Sequence, residues 1–140
     1  NLRSTFKICQ AVARASMIPR RRGKIINISS VRGQLAIRRG YAAYTASKAG
    51  VNLLTKQLAT EWAKYNINVN CIAPTFIRTP LVAPMLSDPQ FYQALVNRIP
   101  LGRVGEPDDL VGAAVFLAAP ASDFITGHIL LVDGGVTATQ

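Results

Sequence analysis

The chain has 140 residues, 49% of them hydrophobic, with 16 basic and 7 acidic side chains for a net charge of +9. That is enough apolar material for one packed core and too much for a disordered chain. No apolar run is long enough to span a bilayer, and the opening residues have no signal-peptide pattern. Cys9 and Cys71 make neither a disulfide framework nor a CxxC pair, so a soluble protein of a reducing compartment, the cytoplasm, is expected. His128 is the sole histidine, and no His/Cys/carboxylate cluster stands at ligand spacing, so no metal site is expected. The charge is uneven: residues 1–60 carry 12 basic and no acidic side chains, and residues 61–140 carry 4 basic and 7 acidic. Arg20-Arg21-Arg22-Gly23-Lys24 reads as a solvated loop. Nucleic-acid binding would want aromatics interleaved with the charge, and residues 7–40 have none, so no nucleic-acid partner is expected.

In chain order, Leu2, Phe6, Cys9, Ala13 and Met17 recur at three- and four-residue steps, predicting a helix over 2–18 ended by Pro19 and Gly23. Residues 24–29 form a β-branched run, predicted to be a strand buried on both faces. A glycine-containing loop follows from Ser30 to Gly40. Residues 41–65 are helical, with Val51, Leu54, Leu58 and Trp62 on one stripe. A second strand is predicted over 67–72, stopped by Pro74. An irregular helical stretch covers 80–98, broken by Pro84 and Pro89. Pro107 opens a helix to Ala118, with Asp108 and Asp109 at its positive end. A last strand over 129–132 runs into Asp133-Gly134-Gly135. Short buried strands alternating with helices predict an α/β fold, a parallel sheet with helices on both faces.

The chemistry concentrates in residues 29–48. Tyr44 and Lys48 stand at i and i+4 on a predicted helix and share a face. A phenol with a pKa of about 10 is a poor acid–base group at neutral pH, and an ammonium held beside it favours the phenolate. Ser30 ends a strand, where ligands of open α/β sheets bind, and its hydroxyl both donates and accepts. Tyr-x-x-x-Lys alone is a weak pattern. A strand, then Ser30, then Tyr-x-x-x-Lys 14 positions later, is a much stronger one.

With these residues in place, the sequence resembles the short-chain dehydrogenases/reductases. The segments GKIINISSVRG, YAAYTASKAGV, INVNCIAPTFIRT, GRVGEPDDL and FITGHILLVDGG look like that family's successive blocks, in its order. The resemblance implies a Rossmann-like doubly wound sheet. It also implies hydride transfer between NAD or NADP and an alcohol/carbonyl pair. Tyr44 matches the catalytic acid–base, and Lys48 the lysine that bonds the nicotinamide ribose and assists the tyrosine. Ser30 matches the serine that hydrogen-bonds the substrate oxygen. Asn1 looks like the asparagine that holds a water linking the lysine to solvent; a plain helix N-cap is the other reading. Pro74, Thr75, Ile77 and Thr79 match the turn that embraces the nicotinamide carboxamide, with Thr75 where the family has glycine. Ser29 is expected to be structural.

Residues 80–100 would form a lid over the substrate, or ordinary core. Arg32, Arg38 and Arg39, between Ser30 and Tyr44, either favour an anionic substrate or are a solvated loop. The second half is most similar in texture to sugar-acid and polyol dehydrogenases of the gluconate 5-dehydrogenase kind and to 3-oxoacyl-carrier-protein reductases. The resemblance further implies a small-molecule substrate, no membrane association, and a homodimer or homotetramer.

The family's glycine-rich Thr-Gly-x-x-x-Gly-x-Gly turn is not among these 140 residues, nor are its Asn-Asn-Ala-Gly block and the residue that selects NAD or NADP. Residues 1–140 are therefore expected to be the C-terminal part of one Rossmann-type domain, holding its last three strands. The alternative is a catalytically inactive remnant acting as an interaction module. An acidic N-terminal part would balance the +9.

Overall fold

The structure is a computed structural model, and it describes residues 1–38 and 40–139. Three parallel strands lie in the order β1 (Gly23–Ile28), β2 (Ile67–Pro74), β3 (Ile129–Val132). Gly23 is level with Ile67 and Ile28 with Ile72; on the other side of β2, Cys71 is level with Ile129 and Pro74 with Val132. Helix α1 (Leu2–Val12) runs through a π-helical turn, Ala13–Met17, into α2 (Ile18–Arg20). Helix α3 (Ala42–Trp62) joins β1 to β2. Two short helices, α4 (Ala83–Leu86) and α5 (Pro89–Val96), and then α6 (Val111–Ala118) precede β3.

Alternation along the strands sorts side chains between two layers. On one face, Ile25, Ile67 and Val69 pack with Cys9 of α1 and Leu58 and Ala59 of α3, joined by Leu54, Trp62 and Tyr65. On the other, Lys24 bonds Ser122 Oγ at 3.1 Å and pairs with Asp123 at 2.7 Å. Asn68 and Asn70 reach the Ile125 carbonyl from the same side. Asn70 is buried, and it is tolerated there because both ends of its amide are satisfied: Nδ2 donates to Ile125 O at 2.9 Å and Oδ1 accepts from His128 N at 3.0 Å. The two asparagines thereby fix the path from α6 into β3. Helix α6 packs against β1 and β2. The result is the doubly wound α/β arrangement expected from the sequence.

Two local expectations need correction. The first helical rod does not stop at Pro19; it continues to Arg20 and ends on Arg21 in the left-handed conformation (φ 48°). Proline has no N–H to give to the turn before it, and the widened π turn lies just upstream of that missing donor. Strand β1 is also not buried on both faces, since Ile28 is 52% exposed. β2, between the other two strands, carries the buried run, whereas β1 has a paired neighbour on one side only.

Candidate active site

The candidate residues gather around the carboxyl ends of the strands. Ser30 follows β1 and is buried, 8% exposed. Its Oγ accepts from the Arg32 backbone N–H at 3.1 Å, capping the 3-10 turn Val31–Gly33. With that lone pair engaged, the hydroxyl proton is free to be donated. Ser29 is tied down on two sides: its N–H donates to Ile72 O at 2.9 Å and its hydroxyl to Lys48 O at 3.0 Å. These bonds clamp the end of β1 to both β2 and α3.

Tyr44 lies in the first turn of α3, half-exposed, with its ring edge-on to Tyr41 at 6.2 Å between centroids. Lys48, one turn on, places Nζ 5.8 Å from the Tyr44 ring centre and donates to the Ile28 carbonyl at 3.0 Å. Burial lowers the Lys48 pKa from its ordinary value, opposed by the negative charge that Cys71 carries when ionised. The same burial pushes the Cys71 thiol up to about 11. Cys71 is therefore a neutral packing group at neutral pH. Asn1 bonds Ser47 Oγ at 3.2 Å, and Ser47 in turn donates to Tyr44 O at 2.7 Å. The Asn1 side chain does not cap α1. It is held instead against the turn of α3 that carries Tyr44.

Beyond β2 the chain forms a second cluster. Thr75 and Ile77 line a cleft of about 140 Å³ together with Ile99, Leu101, Val132 and Asp133. Residues 76–78 are fixed by a bridge between Ile77 and Gly105, through Gly105 N to Phe76 O at 3.0 Å and Arg78 N to Gly105 O at 2.8 Å. Thr75 is not among the non-glycine residues with positive φ, which are Arg21 and Asn66 within the described residues. Threonine thus replaces the family's glycine without backbone strain. Pro74 pairs with Val132 in the sheet. Thr79 is not part of the cleft lining, and its carbonyl accepts from Val82 and Ala83 to start α4.

Sequence reasoning did not single out Ile99, Leu101 or Asp133. The Asp133 carboxylate accepts from Gly135 N at 3.0 Å, Thr137 N at 2.9 Å and Thr137 Oγ1 at 2.6 Å. Burial works against its charge, but the bonds from Thr137 and Gly135 outweigh it and hold the pKa below the ordinary value. The Asp-Gly-Gly after β3 was the available signal. Arg32 and Arg38 lie on the loop after Ser30, while Arg39 is outside the described residues. No group of three or more His, Cys, Asp or Glu gathers at metal-binding distance, and no helix is long and apolar enough to cross a membrane, among the described residues.

This geometry can be set beside known proteins. The family model described as "Enoyl-(Acyl carrier protein) reductase" matches residues 1–137. The chain belongs to the short-chain dehydrogenase/reductase family. It is 47% identical over 139 residues to the gluconate 5-dehydrogenase of Gluconobacter oxydans (strain 621H), covering 99% of this chain and 54% of that protein. It is 43% identical over 136 residues to the 5-keto-D-gluconate 5-reductase of Escherichia coli (strain K12), covering 97% and 53%. Among solved structures, a gluconate 5-dehydrogenase from Burkholderia cenocepacia J2315 in complex with NADP and tartrate superposes with a TM-score of 0.92 at 47% identity, covering 96% of this chain and 52% of the other. The chain spans about half the length of the relatives it matches.

Proposed function

We propose that this short-chain dehydrogenase/reductase chain carries the catalytic part of an NAD- or NADP-dependent oxidoreductase that interconverts an alcohol and a carbonyl on a small molecule. The observation that carries the reading is the meeting of Ser30, Tyr44 and Lys48 at the carboxyl end of β1. There Lys48 is anchored to the strand and Ser30 keeps a proton to donate. Of the sugar-acid, polyol and 3-oxoacyl classes, the sugar acid is favoured by the gluconate enzymes among the relatives. We assign residues 1–140 to the C-terminal part of a single Rossmann-type domain, with the dinucleotide-anchoring part outside them. The working protein would be a cytoplasmic homodimer or homotetramer.

The residues present suit the nicotinamide end of the cofactor. Thr75 and Ile77 line the cleft beyond β2 and β3, and Lys48 has ammonium protons beyond the one given to Ile28 for the ribose hydroxyls. When bound, the nicotinamide supplies or accepts the hydride. In the reducing direction Tyr44 gives its hydroxyl proton to the carbonyl oxygen. Ser30 donates a hydrogen bond to the same oxygen as charge develops there. Lys48 would hold the ribose, and its ammonium favours the tyrosinate that remains. In the oxidising direction Tyr44 takes the proton back.

Assay of the full-length protein with NAD⁺ and NADP⁺ against gluconate, sorbitol and 3-hydroxyacyl esters tests the proposal. Turnover should fall by a factor of about 10²–10⁴ in Tyr44→Phe with the fold intact by circular dichroism. Absence of turnover on every substrate, or full activity in Tyr44→Phe, overturns it.

A further inference from the structure

Between the loop after β1 and the end of α5 lies an open groove of about 510 Å³, lined by Ala36, Ile37, Arg38 and Arg98. Arg32 stands beside it. Its Nη1 donates to Ala36 O at 3.1 Å, bracing the loop that forms one wall. Resting on the oxidoreductase reading above, we propose that Arg32, Arg38 and Arg98 form the subsite that binds the carboxylate of an acidic substrate while its hydroxyl is presented to Tyr44.

Three features carry the inference. First, among the described residues no ion pair joins these guanidinium groups to an acidic side chain. The ion pairs among the described residues join Lys24 to Asp123, Arg78 to Glu106 and Arg103 to Asp109. Second, Arg32 feels the charge of Arg98 in the groove and is coupled electrostatically to Tyr44. Burial lowers its pKa most, the like charge of Arg98 adds to that, and Tyr41 and Tyr44 act in the opposite direction. Cations brought together without a counter-charge repel one another, and an anion placed between them relieves the repulsion. The fork of a guanidinium matches the two oxygens of a carboxylate. Third, Arg98 is followed in the chain by Ile99, which lines the cleft with Thr75 and Ile77. Groove and cleft are therefore lined by consecutive residues of the chain. Arg98 lies 54 positions beyond Tyr44, so no local motif marks it.

The test compares gluconate with sorbitol, which keeps the carbon chain and replaces the carboxylate by a neutral alcohol. In the full-length protein, Arg98→Gln and Arg38→Gln should each lower the ratio of kcat/KM for gluconate to that for sorbitol by about tenfold or more. Arg98→Lys, which keeps the charge, should retain part of it. A ratio within about threefold of wild type in all three variants overturns the proposal. Calorimetric titration of gluconate provides a reading independent of turnover. If neither substrate reacts with NAD⁺ or NADP⁺, the oxidoreductase reading fails. The carboxylate subsite then stands if gluconate binds and the binding is lost in Arg98→Gln and weakened by salt, and falls if gluconate does not bind or binds the variants equally. Should the glutamine variants not fold, Arg98→Lys and the salt dependence decide on the same terms.

Discussion

Lys48 and Asp133 show the two ways in which single residues hold the carboxyl edge of the sheet in shape. Lys48 commits one ammonium proton to a strand carbonyl and keeps the others toward the tyrosine side. Asp133 does the reverse, gathering three donors from the turn that follows β3 onto one carboxylate. Its folded-state pKa lies below the ordinary carboxylate value. Its contribution to stability is thus fully present above about pH 4 and is lost as the pH falls through the folded-state value. Asp133→Asn should destabilise the protein by about 1–3 kcal/mol at pH 7, because an amide turns a donor toward donors. That difference should shrink as the pH falls from about 4 through the lower folded-state value, where the wild-type carboxyl itself becomes protonated. Urea unfolding at pH 7 and at about pH 2 measures both quantities; an equal difference at the two pH values would sink the assignment. Ser30, Tyr44 and Lys48 stood out in the sequence because their spacing is local. Arg98 and Ile99 lie far along the chain, and nothing in their neighbours' spacing marks them; Asp133 was marked only by the Asp-Gly-Gly after β3.

At the scale of elements, α1, β1 and α3 are joined by polar bonds as well as by apolar packing. Cys9 Sγ donates to Asn27 Oδ1 at 3.3 Å, Asn27 Nδ2 donates to Thr55 Oγ1 at 3.0 Å, and Thr55 donates to Val51 O at 2.9 Å. All three side chains are buried. A satisfied chain of this kind fixes register, and a broken one leaves a polar group stranded. Thr55→Val, nearly the same in volume, removes the acceptor for Asn27. It should cost about 1–3 kcal/mol. The double variant Asn27→Leu/Thr55→Val should cost less than Thr55→Val plus Asn27→Leu measured singly. Simple additivity in thermal unfolding would show that the bond contributes nothing. Strand and helix identities were readable from periodicity, since apolar spacing sets them. The polar stitching was not, because Asn27 sits in a run that reads as a purely buried strand.

For the whole molecule, the sheet accounts for what was readable and what was not. Element order and parallel pairing followed from the alternation of strands and helices. The exposure of Ile28 did not follow, because burial depends on neighbours rather than on a strand's own composition. The cofactor prediction belongs at this scale too. On the proposed reading, Lys48 of α3 and Thr75 and Ile77 beyond β2 would serve the nicotinamide side, but the 140 residues contain no glycine-rich turn to seat a pyrophosphate on a helix N-terminus. The chain by itself should bind NADH or NADPH weakly or not at all. Fluorescence titration of the reduced nucleotides checks this, and micromolar affinity would refute it.

The π turn at Ala13–Met17 has a consequence for which sequences can share this backbone. It encloses one residue more than an α-helical turn, and both Met17 and Ile18 pack against the core below it. Met17 lies across the first residue of β1, where a Cβ on Gly23 would come within 2.5 Å of its sulfur and 3.0 Å of its own Cβ. The extra residue and the glycine are therefore one inheritance unit. A deletion within 13–17 would swing Met17 off the strand and free position 23 to carry a side chain, whereas Gly23→Ala alone meets the Met17 side chain, whose sulfur and Cγ must first move aside. The deletion can therefore come before the substitution or together with it, whereas the substitution on its own requires Met17 to shift.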